Sequence, residues 1–174
     1  MHQPFYKDLW TGQYKLPWTR LHALKDYAGM VRVLGEFPPV RQTFNLVPSM
    51  VAQIAEYAAG TASDPFFECA AMPAEALTEA QQTFVLRYFF QANVDKVIRR
   101  YPRYIELYEK RRGPLSIQEL RDLQILSQIA WFDEDVLAKD EELLCRWKNE
   151  CEERQEVILL LFLLLFARQA QMYV

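Results

Sequence analysis

The sequence predicts an α/β protein that is mostly helical over its 174 residues and holds about one strand, residues 41–47. Three observations carry that expectation. Helix start and stop residues recur along most of the chain, and a single short β-favouring run lies between two helical patterns. A composition of 51% hydrophobic and 25% charged residues belongs to a chain that builds a core, not to a disordered tail. A mass of 20.6 kDa allows one domain.

Residues 1–19 hold Phe5, Tyr6, Trp10, Tyr14 and Trp18 but are broken by Pro4, Gly12 and Pro17. No period survives, and a long structured loop is expected. Over residues 20–37, Leu24, Tyr27, Val31 and Leu34 recur at three- and four-residue steps, which is one helix face, and Pro38-Pro39 prevents continuation. Thr43, Phe44, Leu46 and Val47 then form the β-favouring run, ended by Pro48-Ser49, which also opens a helix. Met50, Val51, Ile54, Ala55 and Ala58 restore the helical period up to Gly60, where a left-handed C-cap is wanted.

Everything beyond reads as helix. Asp64-Pro65 is an N-cap followed by the residue best tolerated in a first turn. Thr78 with Gln81, and Ser116 with Glu119, fit the capping box, so helices should begin at residues 79 and 117. Their buried faces would be Phe84, Val85, Tyr88 and Phe89 in one, and Leu120, Leu123, Leu126, Ser127 and Trp131 in the other. Tyr101-Pro102 and Gly113-Pro114 bracket a further short helix. Residues 140–174 read as one long helix, charged through Glu156 and apolar on every side afterwards.

A strand between two amphipathic helices belongs to a β-α-β-α series in which helices cover a mainly parallel sheet. Such a strand needs partners, because each buried backbone group left unpaired costs roughly 1–3 kcal/mol. The chain offers none, and the expectation is therefore a piece of a larger α/β enzyme, with a neighbouring strand ending at His2-Gln3-Pro4 and lying mostly before Met1.

Composition narrows the function classes. A net charge of -3 and a pI near 5.5 argue against a chain that neutralises nucleic-acid phosphates. The basic run Lys96, Arg99, Arg100, Arg103, Lys110, Arg111 and Arg112 is diluted by Glu106 and Glu109 and spread round a helix, so a solvated face is the better reading. Cys69, Cys145 and Cys151 form no pair at metal or disulfide spacing, and no apolar leader follows a basic start, which together point to the cytoplasm. Residues 157–167 are uninterruptedly apolar, about half the ~20 residues a membrane-spanning helix needs. His2 and His22 have no partners at ligand spacing, so neither a metal nor a cofactor is expected. Asp133-Glu134-Asp135 reads as a helix cap.

Several blocks in order carry a family resemblance: His2-Gln3-Pro4-Phe5-Tyr6, Gly12-Gln13-Tyr14, Pro17-Trp18-Thr19-Arg20-Leu21-His22-Ala23-Leu24-Lys25-Asp26-Tyr27 and Thr43-Phe44-Asn45-Leu46-Val47-Pro48-Ser49. They resemble the opening of glycoside hydrolase family 57. Tyr101-Pro102-Arg103-Tyr104, Leu120-Arg121-Asp122-Leu123-Gln124 and Ala130-Trp131-Phe132 are similar to a helical insertion found in one group of that family. The resemblance covers residues 1–150. It implies the N-terminal part of a seven-stranded (β/α) barrel, with residues 1–60 opening the barrel and 61–150 forming the insertion; residues 151–174, an atypical apolar helix, lie outside it.

The activity so implied is retaining hydrolysis or transfer on α-glucans, as in amylases and glucanotransferases. Retention needs two carboxylates about 5–5.5 Å apart. In the family both lie on later strands, so no catalytic residue is assigned here and the isolated chain is expected to be silent. The His-Gln-Pro motif implies that His2, with Gln3, faces the sugar. Tyr6 and Trp18 are candidates for stacking on glucose rings or for fixing the loop. His22 reads equally as a sugar contact or a first-turn helix histidine, Asn45 as a site-facing or a buried structural amide, and Trp131 as core. The alternative to an α-glucan enzyme fragment is a helical protein-interaction module without catalytic activity.

Overall fold

A computed structural model of the chain describes residues 3–133. His2, Cys145, Cys151, the long helix expected over 140–174 and its apolar tail lie outside the described residues. The elements run α1 (Trp18–Ala23), α2 (Asp26–Gly35), α3 (Pro48–Ala58), α4 (Pro65–Ala71), α5 (Glu79–Tyr88), α6 (Pro102–Lys110) and α7 (Ile117–Ile129), with 3-10 turns at Ala74–Ala76 and Ile98–Arg100.

Local signals place most of these ends. Thr78 and Ser116 each cap a helix reciprocally with Gln81 and Glu119. Asp64 accepts the Phe67 N–H at the head of α4, and Pro65 follows it. At the other end of α3, Gly60 has φ +69°, its N–H donates to the Tyr57 carbonyl, and the Thr61 N–H reaches back to that of Glu56. That pair of bonds is a Schellman stop, and it needs a residue tolerant of positive φ.

Two expectations fail. Residues 41–47 belong to no strand or helix; among the described residues the one β-bridge joins Lys7 to Tyr14. A β-favouring composition makes a strand only when another backbone lies alongside to complete the ladder. The single helix expected over 20–37 is likewise two. The chain turns between α1 and α2 at Lys25 (φ -136°, ψ -59°), where the Leu24 carbonyl is taken by the Asp133 N–H from the far end of the described chain. The break also rotates the expected apolar face, so Leu24 and Tyr27 are buried while Val31 is 52% exposed.

The core divides along the sequence. One cluster draws only on residues 66–130, with Phe66 against Phe84 and Phe89, and Val85, Ile98, Leu107 and Leu123 fully buried. Tyr104 lies inside it and donates its hydroxyl to the Phe89 carbonyl; burial pushes that hydroxyl's pKa up. The other cluster joins Tyr14, Leu21, Leu24, Tyr27, Met50, Ile54 and Tyr57 to Phe132. Beside it, along the outer side of α2, Met30, Val33, Leu34, Phe37, Val40 and Phe44 line an apolar groove of about 850 Å³ that the other described residues leave open. Asp133, paired with Arg32, is also among its lining residues. Among the described residues no helix is long and apolar enough to cross a membrane.

Candidate functional site

The candidate residues from the sequence fall into two groups. The first surrounds the start of α3, where Val47 is extended and Pro48 occupies the first turn. Gln53, fully buried one turn later, donates from Nε2 to the Pro4 carbonyl at 3.0 Å and accepts the Tyr6 N–H on Oε1 at 3.1 Å. Ser49 donates to the Gln3 carbonyl at 3.3 Å, and the Tyr6 hydroxyl reaches Gln3 Oε1 at 3.1 Å. One buried amide therefore clips residues 3–6 to α3, and Gln3 and Tyr6 meet each other there. Burial raises the Tyr6 hydroxyl above its ordinary pKa.

The second group forms on α1. Trp18 and His22, one turn apart, present their rings together at 6.5 Å, and Trp131 meets both edge-on, at 5.9 and 5.6 Å. Lys25 sits 5.8 Å over the Trp131 ring. Asp26, the first residue of α2, places Oδ2 2.5 Å from His22 Nδ1 and Oδ1 3.2 Å from Lys25 Nζ. Burial works to raise the Asp26 carboxyl, but the His22 hydrogen bond and the Lys25 charge outweigh it, and its pKa ends below the ordinary value. Asp26 is thus an anion at neutral pH and can only accept, which fixes the proton of His22 on Nδ1. Nε2, on a side chain one-third exposed, has no partner among the described residues.

A buried hub sets the frame behind both groups. Arg20 donates from Nε to Asp64 Oδ2 at 2.8 Å and from Nη1 to Gln128 Oε1 at 3.0 Å, with its guanidinium 5.2 Å over the Phe67 ring. Tyr57 donates to the same Asp64 oxygen at 2.9 Å. One side chain of α1 is thereby tied to α3, α4 and α7 at once.

Asn45 is exposed on the irregular segment before α3, which corrects the reading of a buried amide on a strand. Trp131, expected in the core, is only half-buried and bridges the two clusters. The Asp133 carboxylate is paired with Arg32, while Glu134, Asp135 and the helix this cluster was expected to cap lie outside the described residues. The basic run is met by acids, Arg103 by Asp122 and Glu106, Lys110 by Glu119, and Arg99 by Asp95. Among the described residues no three His, Cys, Asp or Glu side chains are grouped to hold a metal ion.

A protein-family model described as glycosyl hydrolase family 57 matches residues 1–161. The chain belongs to glycosyl hydrolase family 57. No curated protein and no solved structure gave a match. The matched stretch takes in every block that carried the resemblance, including both residue groups around α1 and α3. Within this family 57 chain, sequence reasoning missed Asp26, Lys25 and Trp131 as companions of His22. The i, i+4 spacing of His22 and Asp26 was a usable signal. Trp131 carried none, since only the fold brings the end of α7 to α1.

Proposed function

We propose that this chain is part of a retaining glycoside hydrolase or transglycosylase acting on α-glucans, and that it supplies one wall of the sugar site. The family match over residues 1–161 carries the reading. Local chemistry supports it: Trp18 and Trp131 offer aromatic surface for the C–H faces of a glucose ring, and the Asp26-held imidazole of His22 offers Nε2 to a hydroxyl. Gln3, Tyr6 and Asn45 complete the proposed wall, with His2 beside Gln3.

Retention needs two carboxylates about 5–5.5 Å apart, and the family resemblance places both on later strands. We therefore place the nucleophile and the acid/base outside this chain. The proposed architecture is the opening of a (β/α) barrel in residues 1–60 and a helical insertion in 61–150. The division of the core between residues 66–130 and the first helices favours it, as does the apolar side of α2 left open by the other described residues, the character of a helix face that packs on a sheet. That groove also favours the second reading, a helical interaction module.

Titrating the purified chain with maltoheptaose by calorimetry, and assaying reducing ends released from amylose against a mock-purified control, separates these. Binding without hydrolysis is expected, with His22→Ala weakening binding about two- to tenfold, the worth of one neutral hydrogen bond. Hydrolysis above the control would sink the silent-chain reading, and absence of any α-glucan binding would leave the interaction module.

A further inference from the structure

The turn at residues 8–12 presents the least buried aromatic ring described. Trp10 is 99% exposed and Leu9 81%, although large apolar side chains are strongly driven out of water. The turn that carries them is nevertheless built. The Asp8 N–H donates to the Gln13 carbonyl and the Gly12 N–H to the Asp8 carbonyl, both at 2.8 Å. Asp8 Oδ1 accepts the Trp10 and Thr11 amides at 2.9 and 3.1 Å. Gly12, at φ +73°, takes the left-handed corner. Below the turn the Lys15 N–H returns to the Tyr6 carbonyl, and Tyr14 is buried against Tyr57 with its hydroxyl on Glu56. The indole is thus held out on a rooted turn, so little order remains to be lost when something covers it.

We propose that this turn is a carbohydrate-stacking element, with Trp10 the platform for a pyranose ring of the bound glucan. The inference rests on the α-glucan reading above and adds to it a ring that the sequence left unassigned. Its surroundings suit a hydroxyl-rich ligand: Thr11 and Gln13, exposed close by in the chain, offer donors and acceptors to the hydroxyls of a sugar lying on the ring. They suit a lipid surface poorly. The Asp8 carboxylate lies at the base of the turn, and the two nearby cations are already committed, Lys15 to Asp8 and Lys7 to Glu56.

The test is calorimetry of the full chain with maltoheptaose, comparing wild type, Trp10→Phe and Trp10→Ala, with thermal melts alongside. Trp10→Ala is expected to weaken binding by about tenfold, the scale of a lost ring contact, and Trp10→Phe by less. The melting midpoint should not move, since the side chain is bare. Unchanged affinity in Trp10→Ala with wild-type binding intact overturns the stacking role and leaves the α-glucan reading standing. Wild type that fails to bind maltoheptaose overturns both. Trp10-dependent binding to phosphatidylcholine/phosphatidylserine vesicles, without sugar binding, makes the turn a lipid contact and overturns the proposal as well.

Discussion

Replacing Arg20 by Met keeps much of the side chain's volume but strands the Asp64 carboxylate in the interior. Both side chains of the pair are buried, at 2% and 0% exposure, and are joined at 2.8 Å. Asp64 would keep the Tyr57 hydroxyl and the Phe67 amide as donors, but no opposing charge, and Gln128 Oε1 would lose its donor. Breaking a buried pair from one side costs about 3–5 kcal/mol, because the remaining charge is left uncompensated in a low dielectric. For a chain of this length each kcal/mol is worth about 2–4 °C, so the midpoint should fall by roughly 6–20 °C. The diagnostic comparison is Arg20→Met/Asp64→Asn, which removes the stranded charge while leaving an N-cap, and which should be more stable than Arg20→Met alone. Urea unfolding followed by far-ultraviolet circular dichroism measures both. A single variant within about 1 kcal/mol of wild type, or a double variant whose loss is the sum of the two singles, would refute the reasoning.

Two further outcomes test other parts of the frame. Gly60→Ala has no neighbouring atom to strike, so its cost is the backbone strain of φ +69° alone, about 1–2 kcal/mol in thermal unfolding, and Gly60→Asn should cost less. The Glu119 carboxyl is lowered from 4.5 to about 2 by the Ser116 amide first and by Lys110 next. Between those values the unfolded chain binds the proton that the folded chain refuses, so the cap's contribution is full above pH 4.5 and is lost as pH falls through about 2. A carbon-detected NMR titration should give that low midpoint, with Ser116→Ala moving it upward; a wild-type midpoint near 4.5 would contradict the cap geometry.

What the sequence showed and what it hid differ by the range of the interaction. Both capping boxes, the Pro65 start, the Gly60 stop and the short helix after Tyr101 are closed by residues within a few positions, and all were readable. The break between α1 and α2 was not, because the Asp133 amide that captures the Leu24 carbonyl comes from the far end of the described chain. The strand over 41–47 failed for the same reason in reverse: its composition is local, while a ladder requires a second backbone. At the candidate site, His22 was legible in the first turn of a helix, but Trp18 was read in the preceding loop, and the structure makes it the first residue of α1 instead. Trp131 fell on the Leu120 face only if α7 continued, and α7 ends at Ile129. Arg20 gave no sign of its role, since its partners lie 44 and 108 positions away.

The convergence of Arg20, Tyr57, Asp64 and Gln128 on one buried point has a consequence for descent. Asp64 serves at once as helix cap, counter-ion and acceptor for a phenol, so no single replacement preserves all three duties. A lineage drifting away from the Arg20–Asp64 pair must pass through a one-sided intermediate that is less stable than either end. Across relatives, these two positions should therefore be inherited together or exchanged together, and seldom seen apart.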